Sequence, residues 1–151
     1  ICSKLGVKTP CITQDRPFPW APQEDFTGWF SSMLQNSIQL GVDAKSATWL
    51  IRRHGTRTNE ILRNIEANPS LARRIIRSVP FIFADLEFCA RTEMVVHLDD
   101  LLRRRMPLLI LTQLTTNDLQ QIATRIADIM DWNDATITAE IEHCRQQWML
   151  H

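Results

Sequence analysis

A chain of 151 residues with no formal net charge is the length of one domain, long enough to bury roughly 70% of its unfolded surface. Hydrophobic residues at 44% and charged residues at 23% are ordinary values for a globular protein and exclude a polyelectrolyte. The four glycines, Gly6, Gly28, Gly41 and Gly55, stand far apart. Gly-rich phosphate loops, dinucleotide fingerprints and nucleophile elbows are thereby excluded, and no glycine after Gly55 is left to build a calcium loop.

In chain order, residues 1–22 read as an extended arm or linker. Pro10, Pro17, Pro19 and Pro22 forbid a continuous helix, and Phe18 and Trp20 give the arm apolar groups that call for a packing surface. From Glu24 to Gly41, Phe26, Trp29, Phe30, Met33, Leu34 and Ile38 recur at helical spacing. Asp43 caps a second helix that runs to about His54 and is closed by Gly55, with Ala47, Leu50 and Ile51 inward. A third follows Thr58 on Ile61, Leu62 and Ile65 and stops at Asn68-Pro69. Ser70 then predicts a short helix over 71–77, ended by Pro80.

The stretch 84–111 carries the strongest periodicity. Phe83, Leu86, Ala90 and Met94 share one face with Cys89 beside them, the β-branched pair Val95-Val96 predicts a bend near His97, and Leu98, Leu101, Leu102 and Met106 form a second stripe. Asp99 with Arg103 and Asp100 with Arg104 are acid-then-base pairs four apart, and Pro107 is expected to kink or restart the helix after Arg105. Leu108–Leu111 has the composition of a strand but stands alone in a helical chain. Thr115 or Thr116 caps a helix on Leu119, Ile122, Ala123, Ile126 and Met130. Asn133 or Asp134 caps the last, on Ile137, Ile141, Cys144 and Trp148. The fold class expected is all-α, a compact bundle of six to eight helices with an extended N-terminal arm.

Chemistry is sparse. Cys2, Cys11, Cys89 and Cys144 show no CxxC spacing, and two lie on apolar stripes, which suits reduced, buried thiols in a cytoplasmic protein. His143 and Cys144 are adjacent and point apart on a helix, so they do not share a metal. His97 reads as a hydrogen-bonding group at a junction, and Asp99 and Asp100 as helix-opening acids. Glu93 sits beside the apolar face, and an ion pair with Arg104 or Arg105 across the bend would neutralise it. No signal peptide is expected, and the longest uncharged run is too short to span a bilayer. Lys45 to Arg77 holds eight basic residues against two acidic ones. That excess admits an alternative function, a helical module binding nucleic acid or anionic lipid, although Trp49 is the one aromatic among those arginines and nucleic acid is the less expected partner.

Four motifs in order resemble the C-terminal helical domain of FAD-dependent glycerol-3-phosphate dehydrogenases and glycerophosphate oxidases. Glu93, Asp100, Leu102, Arg104 and Arg105 match that family's Glu and its Thr-x-x-Asp-x-Leu-x-Arg-Arg run. Arg53-His54-Gly55-Thr56-Arg57 resembles its Arg-Tyr-Gly-Ser-Arg, and Asp131-Trp132-Asn133 its Gly-Trp-Asp. Cys11-x-Thr13 and Pro17-Phe18-Pro19 resemble the Cys-x-Thr and Pro-Leu-Pro-Gly that follow the flavin domain. The chain departs at His97 (family Thr), His54 (Tyr), Trp20 (Gly) and Met106 (Thr or Ser). The resemblance implies that 1–22 is a linker from an upstream FAD-binding domain and 23–151 a C-terminal accessory domain. The complete protein would then oxidise glycerol 3-phosphate to dihydroxyacetone phosphate on FAD and pass electrons to quinone at the cytoplasmic face of the inner membrane, or to oxygen. A homodimer is compatible with it. It carries no catalytic, cofactor or metal residue onto this stretch, where Glu93, Asp100, Arg104 and Arg105 stand as a structural motif.

Overall fold

A computed structural model describes residues 13–148 together with Lys4 and Gly6. Cys2, Cys11 and most of the arm before Thr13 therefore lie outside the described residues. The described part is all-α: α1 (Phe26–Gln39), α2 (Ala44–His54), α3 (Thr58–Ala67), α4 (Phe83–Thr92), a π-helix (Asp100–Arg105), α5 (Leu108–Leu111), α6 (Thr116–Met130) and α7 (Asp134–Trp148). α1 packs on α2, α3 on α4, α4 on α6, and α6 on α7. Elements distant in sequence thus meet at α4, whose residues Phe83 to Ala90 are all buried except Glu87. No described helix is long and apolar enough to cross a membrane.

The caps explain the boundaries. Asp25 accepts from the Gly28 N–H at 2.8 Å, Asp43 from Lys45 and Ser46, and Asn133 from Thr136 at 2.9 Å. Thr115 and Asp118 form a reciprocal capping box that starts α6. The π-helix closes with a hydrogen bond from Met106 N–H to the Leu101 carbonyl at 2.7 Å, one residue wider than an α-helical turn. Pro107 ends it, and Leu108–Leu111 forms a helical turn rather than a strand.

Three expectations are corrected. The 71–77 segment is not a helix. A 3₁₀ turn over Pro69–Ala72 leads into a narrow loop whose two sides pair, Ile75 N–H to the Phe81 carbonyl at 2.9 Å and Phe83 N–H to the Arg73 carbonyl at 3.0 Å. These pairings across the loop, at a β-branched Ile75, override the helix that Ser70 would start. On α1 the buried line is Trp29, Met33 and Ser37, while Phe26 and Ile38 are exposed, because only α2 covers this helix extensively. Met94 is not on the core face: α4 ends at Thr92, and Met94 takes φ 51° and stands 89% exposed.

Candidate functional site

The most unusual chemistry lies in the core, where α2 and α4 press a group of ionisable side chains together. Asp85 is 2% exposed, and the other buried residues of its helix are all apolar. It takes an ion pair from Arg53, a 2.8 Å hydrogen bond from His54 Nε2 and a 3.5 Å contact from the Cys89 thiol one turn below it. Arg53 extends further, donating to the Arg105 backbone carbonyl at 2.6 Å and lying 3.7 Å from Cys89 Sγ. One guanidinium thus fastens the end of α2 to both α4 and the π-helix. Burial alone would raise the Asp85 carboxyl, but the His54 hydrogen bond and the Arg53 charge outweigh it and hold the group below its usual range. Burial likewise works against the Arg53 cation and is outweighed, chiefly by the Asp85 charge, so Arg53 is raised. Burial pushes the Cys89 thiol well up, away from the reactive thiolate.

His54, Asp85 and Cys89 bring one ligand atom each within 4.8 Å of one another, the kind of set that holds a metal. Adjacency along the chain could not show it, because His54 comes from a different helix. The chemistry of the donors argues for a different use: Arg53 already neutralises Asp85, and the thiol is held protonated. An ion would have to displace a guanidinium bound to two separate elements.

Next to this cluster the chain turns sharply. Gly55 has φ 55°, and a Cβ there would overlap the Trp20 carbonyl oxygen, which accepts the Thr56 N–H at 2.9 Å. Arg57 then places its guanidinium 5.0 Å from the Trp20 ring centroid and 4.4 Å from that of Phe88. Trp20 is thereby tied to this domain although half of it is exposed, whereas Phe18 stands 82% exposed.

The residues singled out around the bend scatter. Glu93 pairs with neither Arg104 nor Arg105; its carboxylate lies 4.0 Å from His54 Nδ1, so it faces the buried cluster from outside. Since α4 stops before Glu93, the carboxylate turns back toward α2. Asp100 accepts the His97 N–H at 3.2 Å and pairs with Arg104 at 3.3 Å, as the spacing predicts. Arg105 contributes its backbone carbonyl. Asp99 and Arg103 do not pair with each other but share Trp148: Asp99 accepts its indole N–H at 3.2 Å and Arg103 stacks 4.0 Å from its centroid. His97 is a hydrogen-bonding group, with Nδ1 2.9 Å from Glu140, which also accepts the Leu98 N–H at 2.8 Å.

A family model for the C-terminal domain of alpha-glycerophosphate oxidase matches residues 11–137. The chain belongs to that family. It is also 35% identical, over 69 residues, to the anaerobic glycerol-3-phosphate dehydrogenase subunit A1 of Haloferax volcanii. That alignment covers 46% of this chain and 11% of the relative, so the chain spans a small part of the curated protein it matches. No solved structure matches.

The family motifs acquire physical meaning in this C-terminal domain. The first and second residues of Arg53–Arg57 supply two of the partners of Asp85, the third makes the turn, and the fifth grips Trp20. Asp131, where the resemblance has Gly, sits at φ 55° and ends α6, a backbone state that Gly adopts without strain. Sequence reasoning placed Cys89 as a buried thiol and missed Asp85, on which the cluster converges. The available signal was an acid on the same helical face as Phe88 and Cys89, flanked by Ala84 and Leu86, where the other buried positions are apolar.

Proposed function

We propose that this domain is a non-catalytic accessory domain that packs on an FAD-binding domain of the same chain. The complete protein would oxidise glycerol 3-phosphate to dihydroxyacetone phosphate, the two electrons passing to FAD and then to quinone. We place it in the cytoplasm, peripheral on the inner membrane. Family membership supports the oxidoreductase reading. The observation that carries the accessory role is the use to which the motif residues are put: Arg53, His54, Gly55, Arg57 and the Arg105 carbonyl join α2, α4, the π-helix and the arm to one another. Side chains so engaged hold a shape, and a docking domain needs a fixed shape. The arm supports the direction of docking, since Phe18 exposes an aromatic ring beside the anchored Trp20.

The test is a pair of preparations. The 151-residue chain, mixed with FAD and gel-filtered, is expected to retain no stoichiometric flavin and to reduce no quinone analogue with glycerol 3-phosphate. A chain extended upstream through the flavin domain is expected to do both. Flavin retained by the short chain, or turnover by it, would refute the accessory role. A flavin-loaded long chain inactive on glycerol 3-phosphate would refute the substrate.

A further inference from the structure

We propose that the groove between the 69–73 turn, α4 and α6 is a binding site for a small organic anion of the phosphate-ester or diphosphate class. The groove has a volume of about 720 Å³, within the ~300–1,000 Å³ of small-molecule sites. Phe83 lies in it, and the guanidiniums of Arg73 and Arg125 each stand 5.8 Å from that ring's centroid. Two cations held on one aromatic ring lie no farther apart than about twice that distance, close enough for a phosphate-bearing ligand to reach both forks.

The charge arrangement favours an anion. Arg125 donates through Nε to Glu87 at 2.5 Å, which fixes the side chain and leaves its terminal nitrogens unassigned. Arg73 and Arg91, which also line the groove, form no salt bridge among the described residues. Three arginines against Glu87 and Asp128 leave one positive charge in excess. Asp128 opposes a bare anion and offers an acceptor to a hydroxyl on the ligand's uncharged part, which favours a phosphorylated alcohol over inorganic phosphate. Three other arginines of the basic segment are engaged elsewhere: Arg74 is committed to Asp43, Arg53 to Asp85, and Arg57 to Glu60 and two aromatic rings. The site lies on the face of α4 that carries Glu87 and Arg91, and it makes no use of the Asp85 cluster.

Calorimetric titration of the 151-residue chain with glycerol 2-phosphate, a phosphorylated alcohol with free hydroxyls, at low and near-physiological salt, is the direct test. One saturable event is expected, with amide shifts in a parallel NMR titration confined to 69–73, α4 and α6. Arg73→Gln and Arg91→Gln should each weaken it roughly tenfold, the worth of one charge-assisted hydrogen bond, while Arg52→Gln on the exposed face of α2 should leave it unchanged. All three arginines are exposed, so the variants are expected to keep the parent's circular dichroism. No saturable binding, or an equal loss in all three variants, would overturn the proposal, the latter by reducing the effect to diffuse charge attraction.

Discussion

Two polar networks join parts of this chain that lie more than thirty residues apart, and they differ chiefly in water. At the α2–α4 junction, Asp85 is almost fully enclosed and takes Arg53, His54 and the Cys89 thiol. At the bend before the π-helix, Glu140 takes His97 and the Leu98 N–H, while Asp99 and Arg103 hold Trp148. The residue types are nearly the same. Water screens the second network, where the His97 side chain is 56% exposed, and scarcely reaches the first, where Asp85 is 3% exposed. A broken contact in the first leaves a charge stranded in low dielectric, and in the second it is rehydrated.

The sharpest way to break this comparison is Asp85→Ala. It strands Arg53 and removes the partner of a buried His54, so a loss of about 3–5 kcal/mol is expected. At roughly 2–4 °C per kcal/mol for a chain of this size, the melting temperature should fall by about 6–20 °C. Replacing both partners with apolar residues, Arg53→Met with Asp85→Leu, should recover much of it, because then no charge is stranded. The carboxyl's folded pKa lies below that of the unfolded chain, about 3.9. Its contribution is therefore complete above about pH 4 and is lost as pH falls toward the folded value. A double variant as unstable as Asp85→Ala would mean that the cluster matters for its volume and not for its charges.

A second substitution sharpens the comparison without touching a charge. Gly55 lies between His54, which serves the buried network, and Arg57, which grips Trp20. Gly55→Ala forces a side chain into left-handed backbone and into the Trp20 carbonyl. A loss of about 2 kcal/mol or more is expected, together with a change in Trp fluorescence as the arm is pushed off. If stability falls and the fluorescence stays fixed, the arm is not held by this turn.

The contrast also explains what could be read in advance. Helix positions followed from periodicity and caps, which are local: Asp43 caps as expected, and of the pairs Thr115 or Thr116 and Asn133 or Asp134 the first member of each does the capping. The bend near His97 was legible from Val95-Val96. The loop over 71–82 was not, since Arg74 reaches back to Asp43 and Ser46 and Ile75 pairs with Phe81, contacts that no window of the sequence contains. The same holds for the candidate site. The motif Arg53–Arg57 identified a family, but that Arg53 and His54 converge on Asp85 depends on how α2 crosses α4. Glu93 was rightly read as a charge near the apolar face, and its neighbour is a histidine from α2 in place of an arginine from the π-helix.

The smallest effect belongs to the exposed network, and it has a sign. The hydrogen bond to Glu140 raises the His97 pKa, partial burial opposes this, and the charges of Glu140, Asp100 and Asp99 add to the rise. The ring of His143 on α7, 6.1 Å away, is the other titratable group facing it. An unfolded histidine titrates near 6.5, so the folded chain binds this proton more tightly. The stabilisation is fully present below about pH 6.5 and disappears as pH rises through the folded value. After solvent screening it amounts to about 0.2–1 kcal/mol. Comparing the wild type with His97→Asn by thermal denaturation at steps from about pH 5.5 to 8.5 reads it as a difference in melting temperature of a few degrees at most, present at the acid end and absent at the alkaline end. A difference that stays constant with pH would assign the contact to a neutral hydrogen bond. One that grows with pH would show that the imidazole prefers to be neutral, and the two networks would then differ in kind as well as in exposure.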